Sequence, residues 1–101
     1  MKLEWLPAAL ADRDAIYDYI RADSRRAAFQ LDEKIEEYAD RLIDYPQRGR
    51  VGRQLRTREL IIPGVPYIVV YQVEPNRILI LRVLHGAQSW PDDSDGALND
   101  L

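Results

Sequence analysis

Five arginines, Arg48, Arg50, Arg53, Arg56 and Arg58, fall within eleven residues, and Arg82 stands three positions before His85, the chain's one histidine. A guanidinium carries paired donors in a rigid fork that matches phosphate or carboxylate, and it suits such anions better than a lysine ammonium. An imidazole gives or takes a proton near neutral pH. The chemistry these residue types offer is therefore recognition of an anion, either nucleic acid or an acidic peptide, with one acid–base group beside Arg82. The plain alternative is that the arginines are solvated loop and edge-strand charges that deter edge pairing.

Glu59 is the only acid between Asp44 and Glu74. It reads either as a general base or as the ion-pair partner of a neighbouring arginine. On a regular strand Arg56 and Arg58 share a face with Leu60 and Ile62, while Arg53 shares the other with Leu55, Thr57 and Glu59. Residues 82 and 85 likewise point to opposite faces unless a bulge re-aims one of them. The sequence offers no nucleophile with an adjacent base, no Gly-rich phosphate loop and no His/Asp/Glu set at metal spacing. No metal or cofactor is expected.

The elements that must position these residues follow from periodicity. Lys2-Leu3-Glu4-Trp5-Leu6 alternates before Pro7 and predicts a short strand. Leu10, Ile16, Tyr17, Tyr19 and Ile20 predict a helix to about Ala22. Asp23-Ser24 caps a second, in which Ala27, Ala28, Leu31, Ile35, Tyr38, Ala39 and Leu42 recur at threes and fours to about Asp44. The short connection predicts an antiparallel helix hairpin lying on a sheet. Tyr45–Gly52 reads as a basic loop. Extended runs follow over about Arg53–Ile62, Pro66–Glu74 and Arg77–His85, separated by Pro63-Gly64 and Pro75-Asn76, and predict an antiparallel meander. The class is α+β in the order β-α-α-β-β-β.

The totals agree with one domain over residues 1–91 and a tail over 92–101. A chain of 101 residues, 47% hydrophobic and 31% charged, has room for a single core. The absence of cysteine leaves packing alone to hold it, in a reducing compartment or one indifferent to redox state. No leader-like run or eighteen-residue apolar stretch appears, so a cytoplasmic protein without membrane contact is expected. The net charge of −3 conceals a division. Residues 1–47 carry 7 basic and 11 acidic side chains, residues 48–91 carry 7 and 2, and residues 92–101 carry 0 and 4. Acidity sits in the helices and tail, and basicity in the sheet. Trp90 is expected to fold the chain's end against that sheet. The acidic tail reads as a solvated end or as a self-shield over the basic face.

Laid out in order, these residues resemble the RelE/ParE toxins of type II toxin–antitoxin systems, and are closer to the ParE branch. The resemblance spans about residues 2–91. It is carried by the opening strand into Pro7, the helix with Asp12, Ile16 and Tyr19-Ile20, Tyr45-Pro46 and Gly49-Arg50. Arg58-Glu59-Leu60, Tyr67-Ile68-Val69-Val70-Tyr71, Ile80-Leu81-Arg82-Val83-Leu84-His85-Gly86-Ala87 and Trp90-Pro91 complete it.

The resemblance implies a helix hairpin on a twisted antiparallel sheet, a cognate antitoxin whose flexible segment wraps the toxin in a hetero-oligomeric complex, and a role in plasmid stabilization. ParE-like toxins poison DNA gyrase without a known catalytic centre, whereas RelE-like toxins cut mRNA on the ribosome, and fold alone does not choose between them. Cleavage would need Arg58, Arg82 and His85 to work together. RelE-like nucleases also tend to carry basic residues along the groove-facing strands and a tyrosine near the C-terminus. Here Tyr67–Val73 has no basic residue and Gly86 follows His85. The expectation is a gyrase inhibitor, with a ribosome-dependent endoribonuclease and a non-toxic antitoxin-binding module as alternatives. Antitoxin or target binding is assigned to Arg48, Arg50, Arg53, Arg56, Arg58, Arg82 and Trp90.

Overall fold

Pro7 opens the first helix of the computed structural model at a position where its missing N–H costs nothing. The structure describes residues 1–86, 88 and 90; the tail expected beyond Pro91 lies outside them. Strand β1 (Lys2–Trp5) feeds helix α1 (Pro7–Arg21), and helix α2 (Arg25–Asp40) follows. Ser24 caps α2 by accepting the Ala27 N–H at 3.1 Å, as the sequence predicts. The last expected turn of α2 tightens into a 3₁₀ turn over Arg41–Ile43.

Strands β2 (Arg50–Val51), β3 (Arg58–Ile61), β4 (Tyr67–Glu74) and β5 (Arg77–His85) complete a five-stranded sheet in the order β1-β5-β4-β3-β2. The predicted meander is β3-β4-β5, antiparallel throughout. Two features extend that expectation and make the sheet mixed. The first strand lies parallel to β5, pairing Lys2 with Arg77 through Trp5 with Ile80, and the basic loop supplies β2 as an antiparallel edge. Pro63-Gly64 turns between β3 and β4, with Gly64 at φ 79°, a region that glycine enters at little cost.

The helices cover one face of the sheet. Ile35, Ala39 and Leu42 meet Leu60, Ile62, Val69, Tyr71, Ile78 and Ile80 there, and each aliphatic side chain so buried is worth roughly 1.5–3 kcal/mol. On the other face Ile68, Val70, Leu79, Leu81 and Leu84 pack under Trp90, which is 5% exposed. Burial on both faces explains why β4 and β5 read as continuous apolar runs. Arg13 ties the layers together. Its guanidinium binds Asp32 at 3.0 and 2.9 Å and Glu36 at 2.9 Å, and lies 4.6 Å over the Trp5 ring. Among the described residues no helix is long and apolar enough to cross a membrane.

Candidate functional site

The strand expected over Arg53–Ile62 begins only at Arg58. Arg56 takes φ 64°, a left-handed conformation that an extended strand cannot continue, and residues 52–57 close a turn instead. In that turn the Gly52 N–H donates to the Thr57 carbonyl at 2.8 Å and the Thr57 N–H to the Gln54 carbonyl at 3.2 Å. The face assignment for Arg53 and Arg56 on a regular strand is therefore corrected. The basic segment is a folded hairpin, β2-turn-β3, organised around one carboxylate.

That carboxylate is Glu59. Its side chain is fully buried, accepting from the Arg53 backbone N–H at 2.8 Å, Arg53 Nε at 3.1 Å and Arg50 Nη2 at 3.2 Å. Burial alone would raise its pKa, but the two bonds from Arg53 and the one from Arg50 outweigh that and hold it below the ordinary carboxylate range. Of the two readings open to Glu59, the geometry matches the ion-pair partner.

The other arginines divide by task. Arg58 donates through Nη1 to the Gly49 carbonyl at 2.7 Å and the Gln47 carbonyl at 3.4 Å, so it braces the loop before β2. Tyr71 braces the same loop from beneath. Its hydroxyl accepts the Gly49 N–H and donates to the Pro46 carbonyl, both at 2.8 Å, and burial raises its pKa. Gly49 is required there, because a Cβ would stand 2.7 Å from the Tyr71 ring and hydroxyl. Arg48 lies 6.0 Å over Tyr38, whose ring also carries Arg41 at 4.5 Å. Arg53 Nη1 reaches the Gln88 carbonyl at 3.3 Å. Arg56 is exposed and makes no hydrogen bond or ion pair among the described residues.

Arg82 belongs to a different region. Its guanidinium binds Asp12 of α1 through Nε at 2.7 Å and Nη2 at 3.0 Å, and Asp12 also accepts the Val83 backbone N–H at 2.8 Å. The His85 ring meets Tyr67 edge-on at 5.7 Å. A β-bulge at Val70/Tyr71 skips Leu81, but it precedes both Arg82, paired with Val70, and His85, paired with Tyr67. The two residues thus keep opposite parity.

Arg58 stands still further off. It is in register with Tyr71, four residues along β4 from Tyr67, which is roughly 13 Å at ~3.3 Å per residue, and two strand spacings of ~4.8 Å separate β3 from β5. The structure does not bring Arg58, Arg82 and His85 together. Trp90, which the sequence places against the sheet, lies there and lines a hollow with Arg56 and Leu55.

Asp12, Tyr71 and Gly49 carry more of this geometry than their place in the sequence suggests. The signal for Asp12 was a carboxylate on the face of α1 that holds Ala9 and Ile16. The signal for Tyr71 was a hydroxyl ending an otherwise aliphatic run.

The sequence model of the ParE toxin of type II toxin–antitoxin systems matches residues 3–90. The chain is 38% identical over 90 residues to a protein named putative toxin Y4kP of Sinorhizobium fredii, covering 89% of this chain and 93% of that one. It is 36% identical over 84 residues to toxin RelE2 of Caulobacter vibrioides, covering 83% and 93%. Among solved structures, a chain of the chromosomal ParDE system of P. aeruginosa superposes with a TM-score of 0.77 at 30% identity, covering 84% of this chain and 95% of that one. The isolated RelE toxin of E. coli matches with a TM-score of 0.53 at 17% identity, over 99% and 98%, and shares the fold.

Proposed function

This chain belongs to the ParE toxin family of type II toxin–antitoxin systems, and from that premise we propose that it acts on DNA gyrase by binding, without catalysis of its own, and is neutralised in the cytoplasm by a cognate antitoxin. The observation that carries this reading is the separation of Arg58 from Arg82 and His85. Cutting a phosphodiester requires a base, an acid and a cation within hydrogen-bond reach of one phosphate. Arg58 lies on β3, and Arg82 and His85 keep opposite parity on β5; Arg58 bonds loop carbonyls, Arg82 binds Asp12 and the His85 ring meets Tyr67.

What remains at the surface suits recognition. Arg48 and Arg56 are exposed and hold no carboxylate among the described residues, and Val51 and Leu55 beside them are 80% and 86% exposed. A surface that mixes guanidinium groups not paired with carboxylates among the described residues with apolar side chains resembles a protein–protein interface, where arginine is enriched. Supercoiling by purified gyrase in the presence of the chain tests the proposal, with mRNA on translating ribosomes as the comparison substrate. Unaffected growth on expression without antitoxin would instead favour a chain that retains binding but has lost toxicity.

A further inference from the structure

The β3–β4 pairing stops at Arg58 and Tyr71, because the chain before Arg58 turns away through Arg56. Strand β4 continues for three more residues, Gln72–Glu74, paired to β5 on one side. On the other side no strand lies beside them among the described residues. Each face of this bare edge carries a hollow, and Val73, 41% exposed, lines both. The first, about 640 Å³, is bounded by Tyr45, Pro46 and Arg48. The second, about 670 Å³, is bounded by Leu55, Arg56, Leu81 and Trp90.

We propose that the Gln72–Glu74 edge of β4 is a strand-addition site for an acidic, extended segment of a partner protein, whose successive side chains enter the two hollows alternately. The geometry argues for an extended peptide rather than a helix. Side chains of a strand project to opposite faces in turn, and here a hollow stands on each face of one open edge. Charge argues for acidity. Each hollow holds one arginine, Arg48 or Arg56, that has no carboxylate partner among the described residues. Glu74, which also lines the second hollow, is already held by Arg77. The proposal rests on the antitoxin reading only for which protein supplies the segment.

The test is a fluorescence-anisotropy titration of the full-length protein with a labelled, end-blocked octapeptide of alternating Val and Asp. Saturable binding is expected, weakened about tenfold or more by Val73→Lys, which places a charge on the edge, and by Arg56→Glu. The same peptide with Lys for Asp should not bind. Circular dichroism and a denaturant midpoint establish that both variants are folded. Binding indifferent to Val73→Lys in a folded protein would overturn the proposal. So would binding seen only after Asp92, Asp93, Asp95 and Asp100 are changed to Asn, since the occupant would then be the chain's own tail. Absence of binding in both backgrounds would overturn it as well. None of these outcomes depends on gyrase inhibition, so failure here and failure of the toxin's assigned target are told apart.

Discussion

Asp12 accepts the backbone N–H of Val83 at 2.8 Å, and so closes a strand edge that β1 leaves bare after Trp5. The helix does for β5 what a neighbouring strand would otherwise do, and the same carboxylate holds Arg82 at two points. Removing it orphans a buried donor and releases a largely buried guanidinium. Asp12→Ala is expected to cost about 2–4 kcal/mol, read as a shift in the urea midpoint, with Asp12→Asn costing less because an acceptor remains.

The hydroxyl of Tyr71 supports the loop that precedes β2. Tyr71→Phe leaves the Gly49 N–H without its acceptor and is expected to cost about 1–3 kcal/mol. Amide exchange at Gly49 should accelerate more than exchange in β5, which has its own ladder. Uniform acceleration across the sheet would show that the hydroxyl stabilises the whole domain instead.

Glu59 gives the basic hairpin a dependence on pH. Its folded-state pKa is depressed, so its contribution is complete above the ordinary carboxylate value, ~4.3, and disappears as pH falls through the lower folded value. Glu59→Gln is expected to cost about 1–2 kcal/mol at pH 7, discounted for the partial exposure of Arg50 and Arg53, and to flatten the acid limb of the stability curve. Stability measured from pH 7 down to pH 2 for both proteins checks the sign.

Arg56 and Arg58 should separate binding from folding. Arg56→Glu is expected to weaken an acidic partner about tenfold or more, ~1.4 kcal/mol, while leaving the unfolding midpoint unchanged, with a loss that shrinks as salt rises. Arg58→Glu should lower the midpoint as well, because its guanidinium carries the Gly49 carbonyl. Salt-independent affinity for the Arg56 variant would contradict the electrostatic account.

The parts of the fold legible in the sequence are those where burial imposes a period. The apolar runs of β4 and β5, the two helical stripes and the Ser24 cap each follow from local pattern. What was hidden depends on partners distant in sequence or on backbone groups that every residue carries. Arg58 looked like a recognition residue because its acceptors are main-chain carbonyls of Gln47 and Gly49. Arg56 looked like strand because nothing in an arginine announces φ 64°. The two-residue β2 strand was concealed inside a loop rich in glycine, and the parallel partner of β5 is 73 residues away in the chain for the Glu4–Arg77 ion pair. The arginine cluster was legible as a composition, but its division between a buried carboxylate, loop carbonyls and solvent was not.

Binding to gyrase without cleavage of RNA, as proposed for this chain, ties two outcomes together. The most direct measurement is supercoiling of relaxed plasmid by purified gyrase titrated with the purified chain, beside a parallel titration of translating ribosomes carrying a defined mRNA. Supercoiling is expected to be lost at a stoichiometric excess of the chain while the mRNA stays intact. Full supercoiling at that excess, with mRNA cleaved in a manner abolished by His85→Ala, would contradict it.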